Sequence, residues 1–236
     1  RIAACGAAAA VMLSAAAPVS CEEGITMDKN EMIIDGASAN LNENMRYRGA
    51  GMVSANNSSR LLLDYKAENP EAYWEILRYM FGKEGIGITH LKLEMGSDVN
   101  SSSGTEPSVM RSADEKADVT RGAGYQLAAD AKEINPDLTL DMLWWSEPKW
   151  ITDADDVYAA RYKWYKGTLD SAYETYGIKF DYVSAVQNER GADLEWVKYL
   201  SSHLKSETDC PYDYSKIKVV GGEEVCTWGF ADRMYE

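Results

Sequence analysis

Asn188 and Glu189, in the stretch AVQNERGAD, stand where an apolar run, FDYVSAV, gives way to a helical-looking segment, LEWVKYLSSHL. A carboxylate there is either a working group or the charged punctuation that ends a strand and starts a helix. Four other apolar runs end in a comparable way: at Gly51 to Ser54, at Glu94 to Asp98, at Trp144, Trp145, Ser146 and Glu147, and at Glu223 and Glu224. Carboxylates mixed with tryptophans suit acid–base chemistry on a neutral sugar. One carboxylic acid protonates the leaving oxygen, a second carboxylate attacks, and flat aromatic faces hold the C–H surface of the ring. Taken singly, each residue also has a blander role. Glu147 precedes Pro148 and fits a turn, Trp145 fits a core, and the adjacent Glu223 and Glu224 point opposite ways in an extended segment. The combination carries the functional reading; no single member does.

Competing chemistries are poorly supplied. The chain has two histidines, His90 and His203, too few for a His-based zinc site. There is no G-x-S-x-G elbow for a Ser-His-Asp enzyme and no EF-hand loop, although a calcium site of carboxylates and carbonyls stays open. GAGMVSANNS lacks the spacing of a dinucleotide-binding loop. No metal and no cofactor are assigned. A formal charge of −14 argues against a nucleic-acid partner, which needs clustered Lys and Arg, and favours a neutral ligand.

The elements that must position these groups alternate. ENPEAYWEILRYMF reads as a helix, with Asn69 as cap, Pro70 at the first position, and Trp74, Ile76, Leu77 and Phe81 on the apolar face. ITHLKLEMG reads as a strand, followed by a polar loop long enough to be functional. Then come helix GAGYQLAADAKEIN, strand LTLDMLWW, helix DVYAARYKWYKGTLDSAYETYG, strand IKFDYVSAVQNE, helix LEWVKYLSSHLKSET and strand KIKVVGGEE. With MRYRGAGMVS as the first, five strands alternate with helices. This α/β pattern implies a parallel sheet, either doubly wound or a (β/α)8 barrel. The missing phosphate fingerprint favours the TIM barrel, with ligands at the carboxyl ends of the strands.

Residues 1–22 read as a secretory signal peptide: a basic residue, an Ala-rich apolar run too short for a comfortable membrane span, and small residues before an acidic stretch. A secreted or extracytoplasmic protein with no transmembrane segment is expected. Cys21 faintly resembles a bacterial lipoprotein site, with Pro18 atypical, and Cys210 and Cys226 either pair or remain separate thiols. Residues 23–46 form a short β lead-in, and 47–236 the main domain. The opening Arg1 and the closing TWGFADRMYE, which halts inside an apparent helix, read as a fragment open at both ends. The oligomeric state is not specified.

GAGMVSANNSSRLLLDY, HLKLEMGSDVNSSSGTEPSVM, LWWSEPKW and QNER, in this order, resemble the galactocerebrosidase-like glycosidases, glycoside hydrolase family 59, over roughly residues 47 to 236. GTEPS, with the K-L-E-x-G-x-D strand before it, is the most specific piece. The resemblance implies a retaining β-galactosidase built on a (β/α)8 barrel, of which the chain holds about the first five β/α units, acting on a galactoside or glycolipid. It implies Glu189 as the acid/base at the end of the fourth strand, beside Asn188. It also implies Thr105 of the GTEPS loop and Trp145 of the W-S-x-P segment as residues lining the galactose pocket. The family's nucleophile is a second Glu at the end of the seventh strand, and no residue here corresponds to it; Glu223 and Glu224 are not assigned that role. The fragment alone is therefore expected to be inactive and, with an open sheet edge, aggregation-prone. Two departures stand out: Gln187 replaces the usual Trp before Asn-Glu, and Ala55, Asn56 and Asn57 replace a glycine run after the first strand.

Overall fold

Helix boundaries follow from local chemistry. In the computed structural model, which describes residues 48–101, 103–185, 193–221 and 232, the Asn69 side chain accepts the Ala72 N–H at 3.2 Å and opens the helix Pro70–Phe81. Pro70 at its start has no N–H to leave unsatisfied. Asp156 and Asp193 cap the helices Val157–Tyr176 and Leu194–Ser206 in the same way, and Gly177, at φ 68°, ends the former in the left-handed conformation.

In chain order the elements are β1 (Gly51–Ser54), α1 (Arg60–Glu68), α2 (Pro70–Phe81), β2 (His90–Glu94), α3 (Ala123–Ile134), β3 (Thr139–Leu143), α4 (Lys149–Thr152), α5 (Val157–Tyr176), β4 (Tyr182–Ser184), α6 (Leu194–Ser206) and β5 (Lys218–Val220), with single 3-10 turns at Val119–Arg121 and Tyr214–Lys216. The architecture is α/β with parallel pairing throughout. β1, β2 and β3 form one sheet in that order, and β4 pairs with β5 in a second.

The break between β3 and β4 has a local cause. The Asp181 side chain accepts the Leu140 N–H at 2.9 Å, and the Asp181 N–H donates to the Leu140 carbonyl, also at 2.9 Å. A side chain thus stands in for part of the main-chain ladder. The strands are adjacent but shorter than the apolar runs suggest.

Alternation on the strands sorts the two faces. Leu91, Leu93, Leu140, Met142 and Val183 are fully buried in the apolar core with Leu127, Ala128 and Leu169 from the helices. The opposite face carries His90, Lys92 and Glu94, with Asp141 and Ser184. There Lys92 Nζ lies 3.1 Å from Asp141 and donates to Ser184 Oγ at 3.1 Å.

Two helical features differ from the sequence reading. RLLLDYKAE forms α1, an unexpected helix that fully buries none of its residues. On α2 the buried stripe is Tyr73, Leu77 and Phe81, with Trp74 only partly covered and Ile76 half-buried. Tyr73 leads because its hydroxyl donates to buried Asp130 at 2.5 Å, and Asp130 also accepts Lys66 Nζ and Gln126 Nε2. One satisfied carboxylate ties α1, α2 and α3 together. Among the described residues no helix is long and apolar enough to cross a membrane.

Candidate active site

The loop after β2 returns on its own strand. Gly96 bridges to Ser108 in parallel fashion, and a Cβ on Gly96 would sit 2.1 Å from the Pro107 carbonyl oxygen, so only glycine fits this approach. The Asp98 N–H donates to the Glu106 carbonyl at 3.2 Å, and Asp98 holds Arg111 through two guanidinium contacts. Each residue of GTEPS has a place in this closure. Gly104, at φ 143°, packs where a Cβ would meet the Asn56 carbonyl oxygen at 2.4 Å. Thr105 Oγ1 donates to Asn100 Oδ1 at 2.9 Å. Glu106 Oε2 accepts the Asn57 N–H at 2.5 Å, and Ser108 Oγ donates to the Met110 carbonyl.

The turn after β1 receives this loop. Asn56 and Asn57 both lie in the left-handed region, at φ 54° and 58°. Asparagine tolerates that region better than other residues with a side chain, so their replacing the glycine run keeps the backbone route open. The Asn56 N–H donates to Glu94 Oε2 at 2.6 Å. Glu94 and Glu106 are both buried. Burial pushes Glu106 up to about 7, opposed by the Asn57 amide and reinforced by the neighbouring charge of Glu94. Burial also raises Glu94, against the pull of the Asn56 amide.

The end of β3 divides its aromatic residues. Trp144 is buried and its Nε1–H donates to Tyr165 Oη at 2.7 Å, whereas Trp145 stays half-buried. Glu147 is held by Arg161 through two guanidinium nitrogens, and the Arg161 guanidinium lies 4.7 Å from the Trp196 ring centroid and 5.5 Å from that of Trp144. Glu147 is thus a structural anion, as its position before Pro148 allowed.

The stretch containing Asn188 and Glu189 lies outside the described residues, as do Glu223 and Glu224. Its flanks are firmly set. Tyr165 Oη donates to the Ser184 carbonyl at 2.5 Å, Trp196 Nε1–H donates to the Ala185 carbonyl at 2.8 Å, and Asp193 accepts Tyr158 Oη–H at 2.6 Å. Of the four assigned residues, Thr105 and Trp145 are located, each just beyond the carboxyl end of a strand. Among the described residues no cluster of three metal-ligating side chains occurs.

Sequence reasoning missed the roles of Glu106, Asn56–Asn57 and Arg161. Two successive asparagines after a strand are a left-handed turn signal that was available. The Arg161–Glu147 pair spans two elements and left no local trace.

Residues 47–236 match the profile of Glycosyl hydrolase family 59. The human galactocerebrosidase is 31% identical over 186 residues, 76% of this chain and 26% of its own length. The mouse galactocerebrosidase is 34% identical over 172 residues, 67% of this chain and 23% of its own. The chain thus spans about a quarter of the length of the curated relatives it matches. Among solved structures, SrfJ from Salmonella typhimurium superposes with a TM-score of 0.56 at 15% identity, covering 73% of this chain and 42% of that one. An endo-β1,6-glucanase gives 0.54 at 17%, covering 74% and 43%.

Proposed function

The chain belongs to glycosyl hydrolase family 59, and from that premise we propose that it carries the acid/base half of a retaining β-galactosidase site. The observation that supports this reading best is the pinned GTEPS loop. It sets Thr105 beyond the end of β2, as Trp145 stands beyond the end of β3; Asn188 and Glu189 follow β4 in the sequence and lie outside the described residues. Thr105 and Trp145 thus follow two neighbouring parallel strands, β2 and β3.

The fold fits a (β/α)8 barrel, of which β1 to β5 are the first five strands. The order β1-β2-β3 has no reversal beside β1, unlike a doubly wound sheet. Glu189 protonates the glycosidic oxygen and then, as its conjugate base, activates water. Asn188 holds the 2-hydroxyl, and Thr105 and Trp145 shape the sugar pocket. The nucleophile is a second carboxylate about 5–5.5 Å from Glu189, supplied from outside the five units described. The substrate is a terminal β-galactoside, galactosylceramide-type or related, and the N-terminal 22 residues act as an export signal.

In the intact enzyme, Glu189→Gln is expected to cost about 100-fold or more on substrates with poor leaving groups and far less on activated aryl β-galactosides, because a good leaving group needs no acid. Equal losses on both would remove Glu189 from this role. Preference for aryl glucosides or xylosides over galactosides would move the enzyme to another β-linked sugar. Sugar binding without any turnover would make it a binding protein.

A further inference from the structure

Two elements of the proposed pocket are joined through carboxylates instead of a cation. Consecutive amides, those of Asn56 and Asn57, each donate to a different carboxylate: Glu94, on β2, at 2.6 Å and Glu106, on the returning loop, at 2.5 Å. Because the amides are neighbours in the chain, they hold the two carboxyl groups to one turn, near enough for the charge of Glu94 to act on Glu106. Glu94 is 7% exposed and Glu106 3%. Among the described residues, no lysine or arginine pairs with either one. The arginines of this loop are turned elsewhere, Arg111 to Asp98 and Arg121 to Glu115 and Asp118. Among the described residues the other titratable group facing the pair is Tyr125 on α3, buried and with no hydrogen-bond partner for its hydroxyl. Where α3 begins, a Cβ on Gly122 would lie 3.2 Å from Glu106 Oε1, so the helix closes against the pair.

The same turn holds the tip of the loop. Ser101 Oγ donates to Asn56 Oδ1 at 2.7 Å, the Ser101 N–H donates to the Gly104 carbonyl at 2.9 Å, and Gly104 packs on the Asn56 carbonyl. Thr105 therefore sits between two anchored residues, Gly104 and Glu106. Two buried carboxylates bound to consecutive amides, with no lysine or arginine paired to either among the described residues, resist being ionised together. One proton between them leaves a single negative charge, which two amide N–H groups can satisfy. A second charge sets the two carboxylates against each other, and the loop is what can move.

We propose that Glu94 and Glu106 are positioning residues that share one proton, clamp the turn at residues 55–57 to the loop at 97–106, and so hold Thr105 against the sugar. This rests on the reading of Thr105 as a pocket residue. Loss of the shared proton frees the loop and weakens sugar binding, with a smaller effect on the chemical step.

The test is hydrogen–deuterium exchange of the 97–106 segment in the intact enzyme at pH 5.5 and pH 8, corrected for intrinsic rates, alongside KM and kcat for an aryl β-galactoside. Wild type is expected to lose about tenfold in protection between the two pH values, with KM rising in parallel and kcat changing less. Glu106→Gln, which keeps an acceptor for Asn57 and cannot ionise, should retain both protection and KM at pH 8. Glu94→Gln should do the same. A wild-type loop whose protection is flat with pH overturns the proposal, and so does Glu106→Gln losing protection as wild type does. If exchange behaves as expected and no galactoside is turned over, the clamp stands and the galactosidase reading falls. Turnover with flat protection has the opposite meaning.

Discussion

Glu147, after β3, and Glu106, on the loop after β2, are both carboxylates beyond the carboxyl end of a strand, and both are nearly closed off from solvent. Their partners differ in kind. Glu147 faces Arg161, whose guanidinium is boxed by Trp144, Tyr158 and Trp196. Glu106 faces a backbone amide and a second carboxylate. The first arrangement pairs two opposite charges in the core. The second is undecided near neutral pH, because burial and a like charge oppose ionisation while the amide favours it. Position at a strand end therefore does not identify a working carboxylate; the company it keeps does.

Breaking the first arrangement should have the largest effect. The Arg161 and Glu147 side chains are 11% and 6% exposed, so removing one partner strands a charge. Arg161→Met is expected to cost about 3–5 kcal/mol in urea unfolding, and Arg161→Met with Glu147→Leu to recover much of it. A single-variant loss below about 1 kcal/mol would show the pair to be effectively hydrated and would erase the contrast with Glu106.

How much of this was legible in the sequence divides along the same line. The order of helices and strands, the Asn69–Pro70 start and the place of Trp145 just past a strand end follow from local pattern, whereas Thr105 is singled out only by the family resemblance. α1 was missed because RLLLDYKAE lacks a strong cap and buries no full stripe, so its helical tendency gives no periodic signal. The Glu147–Arg161 pair and the Glu94–Glu106 pair were invisible because each joins segments brought together only by the parallel sheet. Within GTEPS, the family resemblance singles out Thr105. The neighbouring Glu106 has its meaning only through Asn57, 49 residues earlier.

The second arrangement is sharpened by pH. The Glu106 carboxyl ordinarily titrates at 4.5 and here near 7, so between those values the folded chain keeps a proton that the unfolded chain has released. Stability should accordingly be greatest below about pH 4.5 as far as this group is concerned, and fall as pH rises through 7, by on the order of 3 kcal/mol. The raised Glu94 adds in the same sense. In chemical denaturation from pH 5 to 8, Glu106→Gln should flatten that decline. Equal slopes for wild type and Glu106→Gln would mean the carboxyl is ionised across the range.

The smallest effect separates backbone from side chain in the turn that serves the pair. Asn57 contributes its N–H to Glu106 from a φ of 58°, and any residue but proline supplies that N–H. What the position demands is the left-handed conformation. Asn57→Gly should be neutral to within a few tenths of a kcal/mol, while Asn57→Ala should cost about 1 kcal/mol. At Asn56, whose Oδ1 also accepts Ser101 Oγ–H at 2.7 Å, glycine should cost about 1 kcal/mol as well, because the hydrogen bond is lost even though the backbone is satisfied. Thermal unfolding of the three variants decides between them. If Asn57→Gly proves as costly as Asn56→Gly, side-chain contacts and not φ hold the turn, and the glycine-to-asparagine departure from the family pattern has a different cause.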